Sequence, residues 1–127
     1  MIYVLNIGLA REAKSNIGTG TALRALMDLE RMSANDELID YSIQQSETET
    51  TVVAIVDIRG NPEDVLTKVF RLSQILEQDC IAMYNLVTKE GALVGPRADK
   101  WGAFNPEFFL LPDGSKLSTP SPLRNTV

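Results

Sequence analysis

The chain contains no histidine, and its single cysteine, Cys80, cannot form a disulfide within one copy. The first absence removes the side chain that most often acts as an acid or base near neutral pH, and also the commonest zinc ligand. Scarce cysteine is typical of proteins from a reducing compartment. The carboxylates are scattered without metal-binding spacing, and no serine or cysteine has a histidine base. An enzyme that uses only carboxylates or tyrosine stays open, but nothing in the sequence favours one. We therefore expect a protein that is not an enzyme and that uses no metal, cofactor or catalytic residue.

The chain also has fewer basic than acidic residues. It contains 12 basic and 17 acidic residues, which gives a net charge of −5. This balance argues against a broad surface for DNA or for an anionic membrane. No apolar run approaches the roughly 20 residues that cross a bilayer, and no basic region precedes the apolar start, as it would in a signal peptide. We expect a cytoplasmic protein, in which a local arginine could still hold a small anion.

Apolar periodicity predicts five strands and two helices in 127 residues. The strands are expected at 2–9, 37–45, 50–58, 79–87 and 92–94, and the helices at about 21–32 and 61–78. The order β-α-β-β-α-β-β predicts an α+β fold, in which an antiparallel sheet carries two helices on one face, ferredoxin-like or close to it. Other sheet orders remain open. Residues 1–114 are expected to form one domain, and 115–127 a polar tail that could dock on another subunit.

Two of these elements have a predicted inward side. In the strand over 37–45, alternation directs Ile39, Tyr41 and Ile43 inward. In the helix over 61–78, Asn61 is expected to cap the first turn and Pro62 to occupy the first helical position. The apolar face of that helix is predicted to contain Val65, Leu66, Val69, Leu72 and Leu76.

Aromatic residues are few, and half of them fall in one segment. Four of the eight rings lie within 101–109, where they are interspersed with glycine, asparagine and proline. Trp101 and Phe104 could bracket a planar ligand, with Asn105 and Arg97 supplying polar contacts. The alternative is a hydrophobic lid over one end of the sheet, in which Asn105 fixes a turn. The two interpretations are compatible, because a rigid lid can also form a pocket wall.

Three further candidates have a structural alternative each. Arg59, just after the strand over 50–58, could hold a phosphate or simply pair with a nearby acid. Tyr84 could stack on a base or be a half-buried sheet residue. The glycine-containing run 18–21 could cradle a phosphate at a helix start, or be a flexible loop with a threonine cap.

The runs 3–9, 78–82, 91–96 and 101–109 resemble small proteins of phages and prophages, and most of all the first class of Thoeris anti-defence proteins. The resemblance covers nearly the whole chain as an overall pattern and contains no diagnostic short motif. It implies a binding protein that sequesters cyclic ADP-ribose isomers, the immune signals of bacterial TIR-domain enzymes, in the cytoplasm of the bacterial host. Some proteins of that class also bind cyclic oligonucleotides.

The resemblance also implies an assembly and a set of pocket residues. Those proteins form dimers and larger oligomers, hexamers included, with the ligand at subunit interfaces. By position, the pocket residues here would be Arg59 and Tyr84, joined by Asn105, Arg97 and Arg124. Two other hypotheses stay open. The aromatic segment could be a hot spot that inhibits a host protein by direct contact, or the chain could be a small cyclic-nucleotide hydrolase.

Overall fold

The computed structural model describes residues 1–10, 24, 36–45, 49–115 and 117. They form an antiparallel five-stranded sheet and one main helix, which confirms the expected α+β class. The strands are β1 (Ile2–Ala10), β2 (Glu37–Gln45), β3 (Glu49–Asp57), β4 (Ile81–Asn85) and β5 (Gly91–Val94), and the helix α1 (Pro62–Ile75) lies between β3 and β4 in the chain. The spatial order of the strands is β2-β3-β1-β4-β5.

The strand β3, next to β1 in the middle of the sheet, is apolar on both sides. β1 pairs with β3 over nine residues, from Ile2 opposite Asp57 to Ala10 opposite Glu49. The run 52–56 of β3 places valine, alanine and isoleucine side chains alternately on the two faces, and a strand of this composition is stable only when both faces are covered. The sheet therefore needs a cover on each side.

Helix α1 begins where the sequence predicts it. The Asn61 side chain accepts a hydrogen bond from the Asp64 backbone and Asp64 reciprocates, forming a capping box, and Pro62 occupies the first helical position. After the helix, Gln78 N–H donates to the Ser73 carbonyl, and Glu77 has a positive φ of 55°. These features resemble a Schellman end, although that motif favours glycine at the position of Glu77. No helix in the described part of the chain is long and apolar enough to cross a membrane.

The two faces of the sheet have different covers. On the α1 face, helix residues pack on a buried aliphatic layer that includes Leu5, Ile7, Val56 and Ile81. On the opposite face, which we call the second face, Val4, Val53 and Phe109 form a smaller buried cluster. Its cover comes from residues beyond β5, because Phe104, Leu110, Leu111 and Leu117 pack against that cluster.

The residues predicted to point inward in β2 are not buried. Ile39, Tyr41 and Ile43 are 48%, 41% and 41% exposed. A bulge between Leu38 and Asp40 takes Ile39 out of the ladder. Tyr41 and Ile43 do lie on the α1 face, opposite Ala54 and Val52, but β2 is at the edge of the described sheet and they stay exposed there. In α1, Leu66 is also exposed, in contrast to its predicted place on the apolar face.

Two other predictions lie outside the described residues. The helix expected over about 21–32 is described only at Arg24, and the glycine-containing run 18–21 is not described. The arrangement of two helices on one face is therefore not tested here. The described tail residue Leu117 packs on the second face, and its N–H donates to the Phe109 carbonyl over 3.3 Å.

Candidate functional site: a cavity beneath the aromatic segment

The chain after β5 crosses the second face in two short 3₁₀ turns, Ala98–Trp101 and Pro106–Phe108. It is fastened to the sheet by Asn6 of β1. The Asn6 Nδ2 donates to the Leu110 carbonyl over 2.9 Å, and the Leu110 N–H donates to Asn6 Oδ1 over 2.8 Å. The amide side chain thus pairs with the Leu110 backbone as a neighbouring strand would. It determines where the aromatic segment lies above the sheet.

Three rings hold the middle of the segment. The centroid of Phe104 lies 6.1 Å from that of Tyr84 and 5.3 Å from that of Phe109, and the Tyr84–Phe109 separation is 5.7 Å. Such clustered rings attract one another beyond the area they bury. Phe104 also lies directly on the backbone of Gly91, since a Cβ atom there would come within 2.3 Å of the ring. Glycine at position 91 is therefore a condition for this packing.

The start of the segment is tied to Asp79, in the connection between α1 and β4. The Arg97 N–H donates to the Asp79 carbonyl over 2.9 Å, and Trp101 Nε1 donates to the carboxylate over 3.1 Å. Gly95 approaches so closely that a Cβ atom would lie 2.4 Å from the same carbonyl oxygen. Arg97 and Lys100 also face the Asp79 carboxylate, at 3.8 and 3.9 Å. These long, exposed ion pairs contribute little to stability.

A cavity of about 610 Å³ lies between this segment and the sheet. That volume is within the range of small-molecule sites. Its floor is formed by residues of four strands, most of them short or polar: Asn6, Gly8, Thr51, Ala82 and Leu93. Gly8 and Ala82 have little or no side chain, so they leave space between the sheet and the aromatic segment.

The walls of the cavity combine aromatic and polar residues. Trp101, Phe104 and Phe108 line it, and Trp101 and Phe108 are 65% and 75% exposed. The connection over 77–80 also lines it and includes two carboxylates, of which that of Asp79 accepts the Trp101 hydrogen bond. Large exposed rings beside a cavity are available to stack on a planar ligand.

The lining also contains the single cysteine of the chain. Burial, assisted by the negative charge of Asp79, raises the pKa of the Cys80 thiol above its ordinary value. Since the thiolate is the reactive form, this shift makes Cys80 a weaker nucleophile at neutral pH. Among the described residues, no three histidine, cysteine, aspartate or glutamate side chains are grouped to hold a metal ion.

The structure brings together some of the predicted site residues. Trp101, Phe104 and Asn105 line the cavity. Asn105 also caps the second 3₁₀ turn, because its Oδ1 accepts from the Glu107 N–H over 3.0 Å. Tyr84 does not line the cavity, but its ring stacks on that of Phe104, which does. Arg97 lies beside the cavity through its contact with Asp79.

Two predicted arginines are not at the cavity in the described chain. Arg59 follows the far end of β3, where it pairs with Asp57 at 3.3 Å. Thr51 of the cavity floor lies six positions before Asp57 in β3, which corresponds to about 20 Å along a strand. The Arg59 backbone is held there by Asp36, a buried carboxylate that accepts its N–H over 2.8 Å and pairs with Lys68. Arg124 lies outside the described residues.

Sequence reasoning missed the floor and the polar part of the walls. Of the missed residues, Asn6 had a detectable signal, since a lone amide on an apolar strand needs a hydrogen-bonding partner when it is covered. Gly8 and Ala82 had none, because their contribution is the volume they leave empty. The carboxylate of Asp79 was noticeable only as part of a strand expected to begin at that residue.

Comparisons of the chain with protein-family models, with curated proteins and with solved structures found no match.

Proposed function

We propose that this protein binds a small planar ligand in the cavity beneath its aromatic segment and releases it unchanged. The observation that carries the proposal is the combination of a cavity of about 610 Å³ with two exposed rings at its wall, Trp101 and Phe108. Ring stacking and a few fixed polar groups are the usual means of holding a heteroaromatic ligand. A nucleobase is the commonest biological ligand of this kind.

The narrower form of the proposal is sequestration of a cyclic nucleotide immune signal, a cyclic ADP-ribose isomer or a cyclic oligonucleotide, by a phage anti-defence protein in the bacterial cytoplasm. It rests on the resemblance stated above. The described residues that would support it are Arg97 and Lys100, whose ion pairs with Asp79 are long and exposed. Both cations could turn to a pyrophosphate at little cost, since such pairs are weak.

The assembly and the finer topology belong to the same proposal. We infer a homo-oligomer and a ferredoxin-like arrangement with a second helix beside α1. The support for the helix is the register of β2, in which Tyr41 and Ile43 lie opposite Ala54 and Val52 on the α1 face. Apolar side chains in these positions favour a cover on that face.

The proposal is tested by thermal unfolding in the presence of cyclic ADP-ribose isomers, cyclic di- and trinucleotides and NAD. A ligand that binds only the folded protein raises its stability by mass action, about 2.7 kcal/mol at a concentration one hundred times Kd. The bound ligand is then released by heating and identified by mass spectrometry. Intact ligand with a raised melting temperature is the expected result, whereas altered ligand would indicate a hydrolase and no shift would contradict nucleotide binding.

Two variants locate the site. Trp101→Ala removes an exposed ring from the cavity wall, so we expect weaker binding with a melting temperature close to that of the parent. Arg59→Ala is the matched control, because Arg59 is also exposed but lies at the other end of β3. If Arg59→Ala abolishes binding and Trp101→Ala does not, the ligand is held at the Arg59 end or between subunits there, and the cavity is not the site.

A second function is favoured by the exposure of Trp101 and Phe108. Exposed aromatic residues are typical anchors of protein interfaces, so the same segment could inhibit a host protein by direct contact. This alternative predicts a protein partner whose binding is lost in Trp101→Ala and Phe108→Ala, without stabilisation by any nucleotide.

A further inference from the structure

The outer edge of β2 is the longest open edge of the described sheet. β2 contains nine residues, and among the described strands only β3 pairs with it. Its residues Tyr41 and Ile43 are 41% exposed. An edge strand offers unpaired backbone groups to another strand, and proteins usually protect such edges with charge, proline or a bulge. Here the bulge lies between Leu38 and Asp40 and leaves the run 40–44 regular, while the Tyr41 N–H donates to Asp40 Oδ1 over 2.8 Å. A partner strand that pairs with this N–H would replace that local contact.

The run 40–44 has a pattern that matches itself in the antiparallel direction. When two copies are placed antiparallel about a twofold axis at Ser42, Tyr41 lies opposite Ile43 of the partner subunit, and this pair occurs twice. Asp40 then lies opposite Gln44 of the partner subunit instead of another aspartate. Aromatic and β-branched residues directly opposite each other are among the favourable cross-strand pairs, while like charges in that position are unfavourable.

Neighbouring registers are less favourable. A twofold axis at Tyr41 would bring the bulged residue Ile39 into the ladder, opposite Ile43 of the partner subunit. An axis at Ile43 would leave Tyr41 opposite a glutamine. Only the axis at Ser42 pairs both exposed apolar side chains with each other and keeps the bulge outside the paired run.

We propose that a second copy of this chain pairs antiparallel along β2, with the twofold axis at Ser42, to form a continuous ten-stranded sheet. The interface is isologous, as in most homodimers, and it combines backbone hydrogen bonds with two Tyr41–Ile43 contacts. The inference uses only the edge strand and is independent of the ligand proposed above. The cavity lies on β1, β3, β4 and β5, so it stays open in this dimer.

Cross-linking tests the register directly. Residues opposite each other in an antiparallel pair have Cα atoms about 4.5–5.5 Å apart, which suits a disulfide. In a Cys80→Ser background, Ser42→Cys is expected to form a disulfide-linked dimer under mild oxidation. Asp40→Cys is the matched control, because the two residues 40 would be separated by about 13 Å along the paired strands. Equal cross-linking of both variants, or none at Ser42→Cys, would overturn the register.

Sedimentation of mixed variants tests the interface without a new covalent bond. Tyr41→Glu and Ile43→Lys should each weaken the homodimer about tenfold, because the symmetry doubles every change. When the two variants are mixed, the heterodimer should be tighter than either homodimer. In the heterodimer one of the two contacts between positions 41 and 43 becomes Glu opposite Lys, and the other remains Tyr opposite Ile. Circular dichroism verifies that each variant is folded. A parent protein that stays monomeric at about 100 µM, or a dimer whose affinity is unchanged by both substitutions, would overturn the proposal.

Discussion

The two faces of the sheet show how differently one chain can cover two surfaces of similar size. The α1 face is covered by a capped helix, and its buried layer consists mainly of aliphatic side chains such as Leu5 and Leu72. The second face is covered by two 3₁₀ turns, a ring cluster and an amide that fastens the backbone. A cavity of about 610 Å³ lies beneath the second cover. Regular packing supplies stability here, and irregular packing supplies a candidate binding site.

Removing the largest buried ring of the second face should have the greatest effect. Phe109 is 2% exposed and contacts both Tyr84 and Phe104, so Phe109→Ala should cost about 3–5 kcal/mol of unfolding free energy. The measurement is chemical denaturation. Leu72→Ala on the α1 face is the control, with an expected cost of about 2–5 kcal/mol.

The two variants separate stability from binding. Folded Leu72→Ala should retain the ligand affinity of the parent, whereas folded Phe109→Ala should lose it because Phe109 lines the cavity. Equal affinity in the two folded variants would mean that the second face does not hold the ligand.

A methyl group at position 91 should displace the Phe104 ring. Because the added Cβ would lie 2.3 Å from the ring, Gly91→Ala should destabilise the protein by about 1–3 kcal/mol. In a double-mutant cycle, the same substitution should cost much less when Phe104 is already alanine. An additive result would show that the clash is relieved elsewhere and that Phe104 does not depend on this glycine.

Loss of the Asn6 side chain should loosen the aromatic segment. Asn6→Ala removes two hydrogen bonds to Leu110, and we expect a loss of about 1–2 kcal/mol in unfolding free energy. Hydrogen exchange at the Leu110 amide should accelerate far more than exchange within α1. Asn6→Asp retains the acceptor for that amide and should protect it better than alanine does. Uniform acceleration over both faces would contradict the separation between them.

The smallest effect concerns the Cys80 thiol. Its raised pKa means that the thiolate fraction near pH 8 is below that of a free cysteine, so alkylation by iodoacetamide should be slow and should accelerate as the pH rises through the folded-state pKa. Unfolded protein should react at the rate of a free thiol. Because Cys80 lines the cavity, a bound ligand should slow the reaction further. A rate that ligand leaves unchanged would place the ligand elsewhere.

Local chemistry made the regular parts of the fold predictable. Asn61 and Pro62 define the start of α1 whatever the rest of the chain does, and the run 52–56 identifies a strand covered on both faces. The burial of β2 was not predictable in this way. Alternation places Tyr41 and Ile43 on the α1 face, but it does not show that the strand is at an edge, where they stay exposed, or that a bulge takes Ile39 out of the ladder.

The candidate site was predictable only where it depends on side chains that are present. Trp101 and Phe104 are noticeable because the chain has few aromatic residues and they fall in one short segment. The cavity floor at Gly8 and Ala82 is not noticeable in the sequence, since a cavity is the space that distant segments leave between them. Nor does the sequence show that Arg59 and Trp101 lie at opposite ends of β3, because that separation follows from the sheet register and from the course of the chain after β5.

The most direct test of the account is a fluorescence titration of Trp101, the single tryptophan of the chain. Its indole lines the cavity and is largely exposed, so a stacked ligand should change its emission in a saturable way. We expect the ligand that raises the melting temperature to change this emission with the same Kd, and the change to persist in Arg59→Ala. Stabilisation by a ligand that leaves the Trp101 emission unaltered would contradict the claim that the second face holds the binding site.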